Sequence, residues 1–193
     1  MSLSDVVGQD HITRLLAASR ESSRLAGAYL LTGEEATGKR YLAYQFAKAL
    51  NCAEESVDSC DRCIPCRKID HGNHPDVIEI SAEDSSIKID SIRRLRDEIN
   101  LKPFEGRHKV FIIADAERLT LSAANCLLKT LEEPPEKSLL LLTAINPIAI
   151  IPTVRSRCQT LSFRPLDVET VERVLLERWS LPPDEARSRA IIS

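Results

Sequence analysis

The sequence predicts an α/β fold: a parallel β-sheet with helices on both faces, running into a helix-only C-terminal portion. Three observations predict it. Short runs of leucine or β-branched residues alternate with segments whose apolar residues recur at helical spacing. A glycine-rich loop stands between one such strand and the helix that follows it. From Pro165 onward only helical periodicity remains. Strands joined through helices pair in parallel, and ligands of such sheets sit beyond the carboxyl ends of the strands.

The elements follow in order. Ile12, Leu15, Leu16 and Ser19 lie at helix spacing and predict a helix over 10–22. Ala28-Tyr29-Leu30-Leu31 predicts a short buried strand ended by Thr32-Gly33. Leu42, Ala43, Phe46, Ala47 and Leu50 give the next helix one apolar face. A strand is expected over 76–80, after Pro75, and Asp90 is expected to cap a helix whose face is Ile92, Leu95 and Ile99. Val110-Phe111-Ile112-Ile113, within 109–114, is the unbroken apolar run of a strand buried on both faces. Thr120 caps a helix carrying Ala124, Leu127, Leu128 and Leu131, stopped by Pro134-Pro135. Two further fully buried strands are expected over 139–144 and 159–163. Val171, Val174, Leu175 and Trp179 predict a helix after Pro165, and a last one starts at Asp184.

Composition narrows the function. At 193 residues the chain amounts to one domain and a remainder. With 43% hydrophobic and 28% charged residues it has enough apolar content for a core, which excludes general disorder. Apolar stretches such as 138–144 are too short to span a bilayer, and the first ten residues carry no signal-peptide pattern. Net charge is -3, from 26 basic and 29 acidic residues, so no overall basic field draws the chain onto nucleic acid. A local DNA-facing patch stays open, although 4% aromatic content argues against a base-stacking platform. Arg93, Arg94 and Arg96 gather on one helix, but Asp90, Asp97 and Glu98 flank them, which reads as a solvated face.

Gly33-Glu34-Glu35-Ala36-Thr37-Gly38-Lys39 has the spacing of a phosphate-binding P-loop between strand and helix. Its glycines allow a turn that aims N–H groups at phosphates, the helix N-terminus adds positive potential, and Lys39 would reach the β and γ phosphates. The loop is nevertheless defective for hydrolysis. The next position should carry a Ser or Thr hydroxyl for magnesium, and Arg40 has donors only. After the strand ending at Ile113, an ATPase would place an Asp for magnesium and then a Glu to polarise water; here stand Ala114 and Asp115, then Ala116. Together these losses leave no evident way to hold the ion that stabilises phosphoryl transfer.

Four of the six cysteines fall between positions 52 and 66. Cys60-x-x-Cys63-x-x-Cys66, with Cys52 upstream, supplies four soft thiolates suited to tetrahedral zinc. Such binding stabilises a loop of low apolar content by roughly 10–16 kcal/mol. An iron–sulfur cluster of the tight bacterial kind would want a fourth Cys where Asp70 stands. His71 or His74 could replace Cys52 as the fourth ligand. With four protein ligands the site is closed, hence structural. Cys126 reads as packed core.

Ser156-Arg157-Cys158 precedes the last strand, and Arg157 has no acidic neighbour in sequence. Two readings are open: an ordinary surface arginine, or an arginine finger presented to a phosphate on an adjacent subunit, worth roughly 10³–10⁵ in rate.

Jointly, Val6-Val7-Gly8-Gln9, the glycine loop, Asn73-His74-Pro75-Asp76, Leu127-Leu128-Lys129-Thr130-Leu131-Glu132-Glu133-Pro134-Pro135 and Ser156-Arg157-Cys158 resemble the clamp-loader branch of the AAA+ superfamily. The likeness runs over nearly the whole chain and includes a zinc module inserted after the P-loop helix, as in bacterial DNA polymerase III. It implies an AAA+ domain over 1–164 with the zinc module at 52–66, and the start of a helical lid over 165–193. The lid is expected to stop just short of its end and the collar that holds such subunits together to be missing entirely, leaving the chain a monomer on its own.

Within that branch the ATP-binding gamma/tau subunit keeps Lys followed by Ser or Thr, and an Asp-Glu pair after the second strand. Arg40 and Ala114-Asp115 depart at both places and resemble the branch's non-hydrolysing stator. The resemblance then implies a non-catalytic subunit in DNA replication whose Arg157 reaches, in trans, the ATP of a neighbouring gamma subunit. Gly33, Thr37, Gly38 and Lys39 would form a degenerate phosphate loop without productive ATP, and Asn146 falls in the region of the polar sensor. Zinc on Cys52, Cys60, Cys63 and Cys66 would be the structural cofactor. Gamma/tau and delta subunits, the sliding clamp and, through the complex, primer-template DNA would be the partners, in the cytoplasm at the nucleoid-associated replisome with no membrane. Two alternatives are a catalytically active clamp-loader ATPase with an unusual magnesium arrangement, and a zinc-dependent nucleic-acid-binding module.

Overall fold

The computed structural model describes residues 2–22, 24–54, 58–179 and 181–192. Its strands are β1 Ala28–Thr32, β2 Val77–Ile80, β3 Lys109–Ile113, β4 Ser138–Ala144 and β5 Gln159–Ser162. Its helices are α1 Asp10–Glu21, α2 Lys39–Asn51, α3 Ile64–Asp70, α4 Ile89–Ile99, α5 Leu121–Glu132, α6 Pro152–Arg155, α7 Val168–Trp179 and α8 Pro183–Ile192. Among the described residues the strands form one parallel sheet in the order β2-β3-β4-β1-β5.

Successive strand side chains point to opposite faces, and the central strands divide accordingly. Ala28, Leu30, Phe111, Ile113, Leu140 and Leu142 pack with Ile92 and Leu95 of α4 and Leu127 of α5. Tyr29, Leu31, Val110, Ile112, Leu139 and Leu141 pack with Ile12 and Leu16 of α1 and Leu42 and Phe46 of α2. Burial on both faces is why these strands read as unbroken apolar runs. Tyr29 and Phe46 meet edge to face, their ring centroids 6.1 Å apart, and each buried side chain of this kind contributes about 1.5–3 kcal/mol.

Three boundary expectations need correction. β5 is not buried throughout: within it Leu161 alone is buried, because β5 is an edge strand paired only with β1. Asp90 is not the cap of α4. The extended Lys88 precedes the helix, and Asp90 pairs with Arg93 in the first turn at 3.0 Å, where a carboxylate favours the helix dipole. β2 begins at Val77 because Asp76 lies in the turn closed by the Val77 N–H on His74 O at 3.1 Å; its fully buried carboxylate accepts the N–H groups of Phe104, Glu105 and Gly106 at 2.7–2.9 Å. Thr120 does cap α5, its hydroxyl accepting the Ala123 N–H.

Beyond the sheet, α7 and α8 pack on each other through Leu175, Ala186 and Ala190, with Val171 and Leu181 alongside; Trp179, expected on the same face, lies outside the described side chains. The N-terminal segment is tied to the passage from β5 to α7. The buried Gln9 amide donates to Arg164 O at 2.8 Å and accepts from Arg164 N at 3.1 Å. Among the described residues no helix is long and apolar enough to cross a membrane.

Candidate functional site

The glycine loop leaves the carboxyl end of β1 and is clasped to the end of β4 by the Gly33 N–H, which donates to Ala144 O and Ile145 O. Gly33 (φ +153°) needs glycine, since a Cβ there would stand 2.8 Å from the Phe163 Cβ. Gly38 (φ +87°) starts α2 from the left-handed region. Lys39 turns back onto its own loop: its ammonium donates to Gly33 O at 2.7 Å and Glu34 O at 2.5 Å, and lies 3.5 Å from Thr37 Oγ1. The Thr37 hydroxyl donates to Glu34 O at 2.8 Å. The lysine's charge thus rests on the carbonyls of the loop. Burial lowers its pKa, against the opposing pull of Glu117, Asp115 and Glu35.

Arg40, where a magnesium hydroxyl would sit, points away to β2 and pairs with Glu79. The end of β3 supplies no replacement. Ala114 is apolar, and Asp115 takes a left-handed backbone (φ +52°) with its N–H on Thr143 Oγ1. Sequence reasoning stopped at Ala116 and missed Glu117. The short 3₁₀ turn Ala116–Arg118 brings its carboxylate back towards the loop, where Oε1 accepts the Ile145 N–H at 3.2 Å. A turn signal directly after the strand was the clue available for it. Asn146 spends its side-chain oxygen locally, capping the turn at Ile148 N and Ala149 N.

The cysteine stretch closes into one centre. The Sγ atoms of Cys52, Cys60, Cys63 and Cys66 all lie within 4.8 Å of one another, and those of Cys52 and Cys63 are 4.0 Å apart. Zinc with Zn–S bonds of about 2.3 Å sets tetrahedral sulfurs about 3.8 Å apart, so the donor set fits. Cys52 follows α2, Cys63 caps α3, Cys66 lies within α3, and Asp61 makes the tight turn between them at φ +58°. The N–H of Cys60 points to Cys52 Sγ and that of Cys63 to Cys60 Sγ, each at 3.4 Å, the polarity that supports thiolates. Burial pushes the Cys52 and Cys66 thiols up. At Cys63 burial is outweighed by hydrogen bonds from the backbone at Ala53 and Cys66, and the thiol comes down to about 7. A coordinated cation deprotonates such thiols outright.

Cys52 thus completes the set, and the histidines do not. His71 Nδ1 contacts Arg67 O, and His74 is buried with Nδ1 accepting from Asp76 N. Lys48 of α2, its side chain fully buried, anchors the centre by ion pairs to Asp61 at 2.5 Å and Asp70 at 2.8 Å.

Arg157 follows α6 and stands two residues before the first residue of β5. Because β5 runs parallel to β1 with Thr32 beside Ser162, the glycine loop lies at the far end of that strand, about 13 Å away at 3.3 Å per residue. Arg157 is not without an acidic partner. The Glu132 carboxylate, 25 residues upstream, takes its Nε at 2.9 Å and Nη2 at 2.5 Å. Cys158 packs against the core, and burial pushes its thiol up to about 12. Cys126 is half-buried against the same core. The α4 arginines are laced with ion pairs, Arg93–Asp90, Arg94–Glu83 and Arg96–Asp97, as a solvated face requires.

Comparison with known proteins places this geometry. The subunit delta' of DNA polymerase III from Bacillus subtilis is 38% identical over 179 residues, covering 93% of this chain and 54% of that protein. The tau subunit from the same organism is 41% identical over 168 residues, covering 86% of this chain and 30% of that one. The chain therefore spans about half the length of the first relative and under a third of the second. Among solved structures, a DNA polymerase III gamma subunit-related protein from Thermotoga maritima superposes with a TM-score of 0.64 at 25% identity, over 95% of this chain and 56% of that one. The RuvB Holliday junction branch migration motor of the same organism, at 16% identity and a TM-score of 0.64 over 95% of this chain and 56% of its own, shares the fold. A family profile described as "DNA polymerase III, delta subunit" matches residues 8–167. With the AAA+-type sheet and the cysteine centre already in place, the chain belongs to this DNA polymerase III subunit family, in the clamp-loader branch.

Proposed function

We propose that this chain is a delta-prime-type stator, a clamp-loader subunit that hydrolyses no ATP itself and supplies Arg157 to the ATP of a neighbouring gamma/tau-type subunit. In concert with delta, the complex would load the sliding clamp onto primed DNA. The observation that carries the reading is the state of the magnesium positions. Arg40 is turned to Glu79, Ala114 stands where a carboxylate is needed, and Lys39 rests on its own loop carbonyls. Gly33, Thr37, Gly38 and Lys39 then form a degenerate phosphate loop.

Placement of Arg157 supports a role in trans. A strand's length separates it from the loop of its own chain, so a phosphate it neutralises belongs to another subunit. In this reading Cys52, Cys60, Cys63 and Cys66 hold structural zinc, residues 1–164 form the AAA+ domain, and 165–193 begin the lid.

The second reading, an active ATPase of gamma/tau type, is favoured by the 41% identity to tau and by the retained Lys39. One set of measurements separates the two. Full-length protein, alone and reconstituted with gamma/tau and delta subunits, is titrated with Mg-ATP and assayed for hydrolysis. The stator reading expects no turnover alone and a depressed ATPase of the assembled complex with Arg157→Ala. Micromolar ATP binding with turnover by the isolated protein sinks it.

A further inference from the structure

The motif that ends α5, Leu-Glu-Glu-Pro-Pro, is left without a role by the phosphate loop and the metal centre, yet its first glutamate is the partner of Arg157. Nε and Nη2 of Arg157 both donate to the single oxygen Oε1 of Glu132, while Nη1 donates to Thr153 O at 2.9 Å and lies 3.4 Å from Ser156 Oγ. We propose that Glu132 is the positioning residue of Arg157, holding the guanidinium so that its outer edge meets the phosphates of the adjoining subunit. The inference rests on the trans-acting role of Arg157 proposed above.

A guanidinium carries five donors in one plane. Fixing one edge on Glu132 and one Nη1 donor on Thr153 fixes that plane and leaves one Nη2 donor uncommitted. An unrestrained arginine would have to lose its rotamer freedom at the moment of contact; here that loss precedes the partner's arrival. Both ends of the pair are rigid. Glu132 is the last residue of α5, which the buried Leu127 and Leu131 lock to the sheet, and Arg157 follows α6, held by the buried Val154.

The contrast with the α4 arginines is direct. Their pairs are single contacts of 3.0–3.7 Å from side chains 45–70% exposed, whereas the Arg157 side chain is 34% exposed and held by acceptors from two elements.

The test uses full-length protein reconstituted with gamma/tau and delta subunits, with kcat and KM for ATP measured on assembled complexes. Glu132→Ala should lower kcat about tenfold with KM and assembly unchanged, in line with the cost of a misplaced catalytic group. Glu132→Gln should restore most of that rate, since a single oxygen accepts both bonds. The double variant with Arg157→Ala should be no slower than Arg157→Ala alone, the mark of two residues acting as one unit. Wild-type kcat for Glu132→Ala beside a slow Arg157→Ala overturns the assignment of Glu132 and leaves the finger standing. Wild-type kcat for Arg157→Ala overturns the finger itself. A Glu132→Gln rate as low as that of Glu132→Ala, or an effect confined to KM or assembly, also overturns positioning.

Discussion

Arg40 and Glu79 form a two-pronged ion pair, Nε to Oε2 at 2.7 Å and Nη2 to Oε1 at 2.5 Å, that joins the first turn of α2 to the edge strand β2. The Tyr44 hydroxyl donates to the same carboxylate at 2.8 Å, and burial, with Glu79 beside it, pushes the phenol up to about 12. Arg40 thus has structural work on another element. Because Arg40 is 63% exposed, the pair is worth little: a double-mutant cycle of Arg40→Ala and Glu79→Ala should give a coupling of about 0.5–1 kcal/mol.

Restoring the missing ligands tests the same site chemically. Arg40→Ser alone should gain no Mg-dependent nucleotide binding, since Ala114 still offers no carboxylate. Arg40→Ser with Ala114→Asp and Asp115→Glu should bind Mg-ATP measurably by calorimetry. Tight Mg-ATP binding by Arg40→Ser alone would show that the β3 position is dispensable.

Asp76 makes stability depend on acid. Burial would raise its pKa, but the N–H groups of Phe104, Glu105 and Gly106, then Lys109, outweigh that and hold it below the ordinary value. A folded-state pKa lying under the unfolded one, about 3.9, contributes stability that is fully present above about pH 4 and is lost as pH falls through the lower folded value. Asp76→Asn should cost about 3 kcal/mol at pH 7, because an amide replaces a charged acceptor of three N–H bonds. In urea melts the gap to wild type should shrink steadily below pH 4. A gap of the same size at pH 7 and pH 3 would mean that the charge of Asp76 is not what matters.

Lys48 links α2 to the cysteine centre. Burial would depress its ammonium, but the hydrogen bonds it donates to Asp61 and Asp70 more than offset this and leave its pKa raised. Lys48→Met keeps the apolar stem and removes the charge, with an expected loss of about 2 kcal/mol; the partners are partly exposed and can rehydrate, which moderates it. Metal retention should fall in parallel, read as faster release to a chromogenic chelator. An unchanged release rate would confine Lys48 to packing.

The four cysteines should carry about one zinc per chain by elemental analysis, lost on replacing Cys60, Cys63 or Cys66 with serine. Affinity should fall as pH falls, because four thiols must give up protons to bind. Iron with visible absorbance would overturn zinc.

Much of this was legible in one dimension because its physics is local. The strands announced themselves because burial on both faces demands unbroken apolar runs, and the glycine loop because backbone at φ +153° and +87° demands glycine at two fixed places. The cysteine spacing, with tight turns between ligands, selected its own four members. The departures at Arg40 and Ala114 from the usual P-loop pattern were visible because a magnesium ligand has a required chemistry at a required position.

What tertiary structure alone decided are partnerships across distance. That β5 is an edge, that Asp76 serves a loop 28–30 residues away, that Arg40 belongs to Glu79 and that Arg157 is held by Glu132 all depend on how parallel strands bring remote segments side by side. Sequence neighbours report charge only within a turn or two of helix, whereas an ion pair forms wherever the packed core sets two side chains within reach. The sequence by itself therefore determined the elements, the glycine loop and the four-cysteine cluster. Packing decided which charges those elements bring together, among them Arg157 and Glu132.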